Sequence, residues 1–115
     1  MTRNSTELEP WKMAEELAQR GMAWADANAA AEALEETRQS VYSQIATGFL
    51  EAGDSAAKAE LRAKADERYQ THIKSMVDAR RTANRAHVRW KTYQAFVELV
   101  RSAESSRRAE MNLAR

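Results

Sequence analysis

Basic residues between positions 80 and 91 give the clearest chemical signal in the sequence. Arg81, Arg85 and Arg89 recur at intervals of four, so on a helix they would form a cationic row along one side. A row of this kind can lie along a phosphate backbone. The predicted nucleic-acid contacts are Arg80, Arg81, Asn84, Arg85, Arg89 and Lys91, with His87 adjoining them.

The same row has a simpler interpretation as a solvent-exposed face. Glu15, Glu16 and Asp26 would then partly neutralise it from a neighbouring helix. If the row does bind nucleic acid, the lack of a recognised base-reading motif predicts non-specific rather than sequence-specific binding.

No pattern in the sequence predicts catalysis. The chain has no cysteine, and His72 and His87 are too far apart on a helix to share a metal ion. The adjacent pairs Glu15-Glu16 and Glu35-Glu36 point in different directions on a helix and form no carboxylate dyad. A glycine-rich phosphate loop, a nucleophile elbow and triad spacing are also missing from the sequence. We therefore predict a protein that is not an enzyme and has no metal, cofactor or small-molecule substrate.

The elements that would position these residues are predicted to be helices. Three glycines and one proline are too few for a sheet with several turns. Apolar or small residues recur at alternating steps of four and three, which is the spacing of a seam between packed helices. The first seam comprises Met13, Leu17, Arg20, Trp24, Ala27, Ala31, Leu34, Arg38, Val41, Ile45 and Gly48. The two arginines are expected to pack their stems and to extend their charged ends toward acidic neighbours.

Boundary signals divide the chain into two long helices. Thr6 and Glu9 form a capping box, and Pro10 suits a first turn, so the first helix is expected from about residue 7 to 51. Gly53 suits a left-handed position, and Asp54 or Ser55 suits the next N-cap, which predicts a turn at 52–55. A second helix is expected from about 56 to 110. Its seam comprises Tyr69, His72, Met76, Ala79, Ala83, Ala86, Trp90, Tyr93, Val97 and Val100.

Folding the chain back at Gly53 brings the two seams together. This register places Leu34 opposite His72 and Trp90 near Gly21, so large side chains meet smaller groups. The predicted fold is therefore all-α: a single domain, 1–115, built as a long antiparallel two-helix hairpin resembling a coiled coil. Residues 106–115 would project past the opposite helix, where this basic end can fray or dock on another molecule.

A lone hairpin buries too little apolar surface to offset the ordering of its residues. Apolar residues outside the seam therefore predict a second contact surface, most simply in a four-helix bundle formed by self-association. The alternative is a break near Gly21 that folds the N-terminal segment back as a third helix. The residues of the predicted protein interface are Trp11, Tyr42, Phe49, Val77, Val88, Phe96 and Leu99.

Charge and hydropathy limit the partners further. Residues 1–60 contain five Lys/Arg and eleven Asp/Glu, whereas residues 61–115 contain thirteen and six. Attraction between two oppositely charged helices is the preferred explanation of this charge asymmetry.

No stretch reaches the ~20 apolar residues of a membrane span or has the pattern of a signal peptide. We therefore expect a soluble cytoplasmic protein without a membrane partner.

The stretch from Ala79 to Ser102, continuing to Arg108-Ala-Glu-Met111, resembles a type of small helical protein encoded by bacteriophages and prophages. The resemblance covers the second helix and the turn and rests on an Ala/Arg-rich helix. Genes for such proteins often neighbour replication or recombination genes. The resemblance implies an accessory role in phage DNA metabolism, in the cytoplasm of a bacterial host.

Two functions follow from these patterns. The first is an oligomeric accessory protein whose face from Arg80 to Lys91 contacts nucleic acid or a nucleic-acid-bound complex. The alternative is a protein–protein interaction module, such as an adaptor, assembly factor or inhibitor, that uses Val88, Phe96 and Leu99 on a host or phage protein and does not bind DNA.

Overall fold

The computed structural model describes residues 9–114. All regular elements in this range are α-helices: α1 spans Pro10–Glu51, α2 spans Ala56–Ala65 and α3 spans Glu67–Leu113. The all-α prediction is confirmed.

Helix α1 begins with proline at its first position. The proline has no N–H to donate, and the first N–H groups of a helix have no intrahelical acceptor, so this position costs no hydrogen bond. The carbonyl of Glu9 accepts the first helical bond, from the N–H of Met13 at 3.0 Å. Residue 7, where the helix was expected to begin, and Thr6 of the predicted capping box lie outside the described residues.

The turn after α1 is held by backbone bonds to the carbonyls at the end of the helix. Gly53 has a φ of 105°, the left-handed conformation expected of it. Its N–H donates to Leu50 O at 3.0 Å, and the N–H of Asp54 donates to Phe49 O at 3.1 Å, a pair of bonds that defines a Schellman motif. Ser55 then caps α2, because its hydroxyl accepts the N–H of Lys58 at 3.3 Å.

The structure divides the second predicted helix at Asp66. The backbone there is extended, with φ −64° and ψ 136°. The Asp66 carboxylate accepts a hydrogen bond from the backbone N–H of Arg68 at 2.8 Å and another from the Arg68 guanidinium at 2.9 Å. A short acidic side chain can thus replace helical hydrogen bonds with its own, which is why aspartate favours helix ends. Helix α3 then continues to Leu113, three residues beyond the predicted end at 110.

Burial follows the predicted seams closely. All ten seam positions from Tyr69 to Val100 are buried or half-buried. Along α1 the only exposed seam positions are Arg38 and Gly48. The alternating four–three spacing therefore identified the inward faces of α1 and α3 correctly.

The chain divides into two compact units. The first contains the described residues through Trp24 together with those from Arg85, and the second contains Ala25–Asn84. In the first unit, the rings of Trp24 and Trp90 stack with centroids 5.2 Å apart. The Trp90 ring also lies against Gly21: a Cβ atom added to Gly21 would be only 3.2 Å from Nε1 of Trp90. This contact agrees with the predicted proximity of Trp90 and Gly21.

The second unit packs α2 and the adjoining parts of α1 and α3. Ala59 and Ala63 of α2 are almost completely buried. His72 donates from Nε2 to the carbonyl oxygen of Leu34 at 2.8 Å, the pair that the sequence register placed opposite each other.

Alanine makes up five of the seven buried apolar residues of the described structure. Among the described residues, no large side chain is fully buried. Since a buried methyl contributes on the order of 1 kcal/mol and a buried leucine or phenylalanine two to three times as much, this core stabilises the isolated chain only weakly. The buried apolar residues are Met13, Ala31, Ile45, Ala59, Ala63, Ala83 and Ala86.

Candidate interaction surfaces

The cationic row of α3 lies on the surface of the protein. Arg81, Arg85 and Arg89 are all solvent-exposed, and within residues 9–114 their side chains form no ion pair. The acidic residues expected to neutralise them do not do so: Glu16 pairs with Arg20 at 2.7 Å, and no salt bridge of the described range includes Glu15 or Asp26.

Arg80 lies next to this row but is occupied by other contacts. Its Nε and Nη2 atoms donate to the two carboxylate oxygens of Glu35 at 2.9 and 2.7 Å. Its Nη1 atom donates to Asn28 Oδ1 at 2.8 Å. A bidentate guanidinium–carboxylate pair is specific in geometry, and it lowers the pKa of the Glu35 carboxyl, although partial burial opposes the shift. Arg80 is therefore engaged in contacts within the fold, and its role as a nucleic-acid contact stays a prediction.

The remaining predicted contacts differ in their surroundings. Asn84 and Lys91 are exposed, and the Lys91 ammonium lies 4.8 Å from the centre of the Trp90 ring. His87 is half-buried against Trp24, with ring centroids 5.2 Å apart. Its imidazole therefore contributes mainly to packing.

The predicted protein interface separates into exposed and packed residues. Trp11, Val77, Val88 and Leu99 are 48–70% exposed. Three others are half-buried. In the second unit Tyr42 contacts the ring of Tyr69, and the Arg62 guanidinium covers Phe49. In the first unit Phe96 contacts Tyr93.

Tyr42 has an unusual hydroxyl group. The oxygen is buried and has no hydrogen-bond partner in the described structure. Burial raises the pKa of this phenol, and the nearby Glu60 carboxylate raises it further. A buried polar group without a well-formed hydrogen bond costs free energy, so we expect this hydroxyl to add little to the stability of the second unit.

A groove between α1 and α3 lies in the first unit. Its volume is about 730 Å³. Trp11, Glu15 and Gln19 line it from α1, and Tyr93 and Phe96 line it from α3. The Arg20 guanidinium lies 4.6 Å from the centre of the Tyr93 ring. Arg20 and Tyr93 are both predicted seam residues, but helical spacing alone does not reveal that α1 and α3 leave a groove beside them.

Within residues 9–114, no group of three or more His, Asp or Glu side chains is arranged to hold a metal ion. None of the described helices is long and apolar enough to cross a membrane. Comparison with protein-family models, with curated proteins and with solved structures yields no match to the chain.

Proposed function

We propose that the protein is a non-enzymatic, self-associating helical hairpin that contacts nucleic acid, or a complex bound to nucleic acid, through Arg81, Arg85 and Arg89. One observation carries this proposal: three guanidinium groups on α3 are exposed and unpaired, whereas the neighbouring Arg80 is fully engaged by Glu35 and Asn28. Phosphate groups bind cationic side chains that have no other ion pair, and the four-residue spacing places these three on one side of α3.

Contacts within each unit support the hairpin. In the second unit, Leu34 of α1 contacts His72 of α3, and Asn28 of α1 contacts Arg80 of α3. The residue number on α1 falls as the number of its partner on α3 rises, which is the order of an antiparallel hairpin. The first unit follows the same order: Gly21 meets Trp90, and Arg20 meets Tyr93.

We further propose that this activity belongs to phage DNA metabolism in the bacterial cytoplasm. The support is the resemblance of the Ala/Arg-rich α3 sequence, Ala79–Ser102, to small helical proteins of bacteriophages. The contacts of an exposed row with phosphates would be sequence-independent and sensitive to salt.

The test is binding of a fluorescently labelled DNA duplex, measured by anisotropy over a range of salt concentrations. Replacing Arg81, Arg85 and Arg89 by alanine should weaken binding at low salt. It should also reduce the slope of log K against log salt by roughly 3, because each lost phosphate contact contributes about 0.9.

The control removes equal charge elsewhere. Arg38, Lys58 and Lys64 are exposed and lie outside both the row and the basic end, so their combined replacement by alanine should leave most of the binding intact. Equal losses in both triple variants would show that only net charge matters, and would contradict a specific role of the row.

A protein–protein interaction module without DNA binding is the second candidate. It is favoured by the exposure of Val77, Val88 and Leu99 on α3. A complex formed through these residues would persist at high salt, whereas a phosphate complex would dissociate.

A further inference from the structure

The groove of the first unit has one wall with unused binding groups. Trp11 on this wall is 60% exposed. Glu15, further along, is exposed and has no ion pair among the described residues. Glu16 and Arg20, by contrast, already pair with each other. The free groups of the groove are therefore an indole, the Glu15 carboxylate and the Lys12 ammonium, which lies 5.3 Å from the Trp11 ring centre.

A complementary surface lies on the outer face of α3. Val88, Thr92, Ala95 and Leu99 follow one another at steps of four, three and four, so they share one side of the helix. All four are exposed, and Val88 and Leu99 are 63% and 70% exposed. We name these four residues the outer face of α3.

We propose that the groove of one copy receives the outer face of α3 from a second copy. This inference rests on the self-association in the proposed function and adds the surfaces that form it. An amphipathic helix in an apolar groove is a recurring mode of recognition. An exposed tryptophan beside an exposed leucine would supply the desolvated centre that dominates such contacts.

Charge complementarity identifies the occupant as a second copy. In an antiparallel arrangement with Trp11 beside Leu99 of the second copy, Lys12 lies beside Glu98 of that copy. This juxtaposition joins opposite charges, and Glu98 is exposed. Since each copy carries both the groove and the outer face, the contact can be reciprocal and close as a symmetric pair of four helices.

The first experiment compares two leucines of equal exposure. Leu99 in the outer face and Leu61 in α2 are both 70% exposed. Leu99→Glu should raise the dissociation constant of the assembly about tenfold or more, whereas Leu61→Glu should leave it nearly unchanged. The readout is mass against concentration by analytical ultracentrifugation without nucleic acid, with helix content monitored by circular dichroism.

A charge exchange tests the arrangement itself. Lys12→Glu and Glu98→Lys should each weaken association, and the double variant should restore it because the pair is rebuilt with reversed signs. Losses that simply add in the double variant would overturn the proposed register.

Cross-linking keeps the proposal testable if a variant fails to fold. The natural chain contains no cysteine, so a Gln19→Cys copy mixed with a Thr92→Cys copy should form a disulfide between copies. Gln19→Cys mixed with Leu61→Cys should form much less.

A wild-type chain that is monomeric throughout would overturn self-association altogether. An oligomer equally insensitive to Leu99→Glu and Leu61→Glu, with no selective cross-link, would overturn only the groove as its site.

Discussion

Gly21 shows how a residue that weakens a helix locally can serve its packing. Glycine inside a helix costs about 1 kcal/mol relative to alanine, yet α1 continues through this position without a break. The Trp90 ring occupies the space that a side chain would take: a Cβ atom on Gly21 would lie 3.2 Å from Nε1 and 3.4 Å from Cε2 of that ring. The predicted alternative of a third helix folded back at Gly21 is therefore wrong.

Replacing Gly21 by leucine should force Trp90 out of its position and lower the free energy of unfolding by about 1–3 kcal/mol. The matched control is Gly48→Leu in the same helix, because no atom lies within 4 Å of a Cβ atom at Gly48. That variant should gain up to about 1 kcal/mol from helix propensity. Urea denaturation measures both values, and a Gly21→Leu protein as stable as Gly48→Leu would contradict the assigned contact.

Tyr42→Phe should be at least as stable as the wild type. The substitution keeps the ring that contacts Tyr69 and removes a buried hydroxyl without a hydrogen-bond partner, so the cost of burying that group disappears. Thermal melting followed by circular dichroism at neutral pH provides the comparison. A clear loss of stability would show that the hydroxyl has a partner, most directly the nearby Glu60.

At the scale of the elements, the ion pair between Glu35 of α1 and Arg80 of α3 should make stability depend on pH. Folding lowers the pKa of the Glu35 carboxyl because Arg80 donates hydrogen bonds to it. A carboxyl of this kind stabilises the fold above its unfolded pKa, about 4.3 for glutamate, and the contribution is lost as the pH falls through the folded pKa. Glu35→Gln should therefore melt below the wild type at pH 7, and the difference should vanish in strong acid.

The control for this pH dependence is Glu36→Gln. Glu36 is exposed and has no ion pair in the described range. Its replacement should change the melting temperature little at either pH. A wild-type advantage over Glu35→Gln that persists unchanged in acid would show that packing, rather than the charge of Glu35, is responsible.

The elements also show what could be read from the sequence. Nearly all predicted seam positions are buried or half-buried, because alternating steps of three and four depend only on helix geometry. The seams did not include further half-buried residues beside them, such as Ile73 and Phe96. The break at Asp66 was missed because aspartate is tolerated within helices and no glycine or proline marks the site. The Asp66 carboxylate binds the N–H and the guanidinium of Arg68 two residues later. This spacing was no signal by itself, because Asp78 and Arg80 have the same spacing within the continuous helix α3.

The candidate surfaces were predictable only in part. The spacing of Arg81, Arg85 and Arg89 established that they share a side of α3. The spacing could not reveal that Arg80 is captured by Glu35 and Asn28, because both partners are distant in sequence and depend on the exact register. For the same reason, helical spacing did not reveal that Tyr42 and Phe49, which lie outside the seam, are half-buried.

At the scale of the whole molecule, the alanine-rich core and the exposed apolar residues lead to the same expectation. Among the described residues the core lacks a fully buried large side chain, while Trp11, Met22, Val88 and Leu99 are each at least 60% exposed. Exposed apolar side chains that share one face, as Val88 and Leu99 do on α3, are typical of a contact surface. Assembly would cover them and supply apolar burial that the single chain lacks.

Both the assembly and the nucleic-acid contact can be tested by the light-scattering mass of the purified wild-type chain, alone and with a short DNA duplex, at low and high salt. We expect a discrete oligomer without DNA, a larger complex with DNA at low salt, and return to the oligomer at high salt. An unchanged mass in the presence of DNA at low salt would contradict the nucleic-acid contact and leave the protein–protein module as the remaining function. A monomer at every concentration would contradict the assembly.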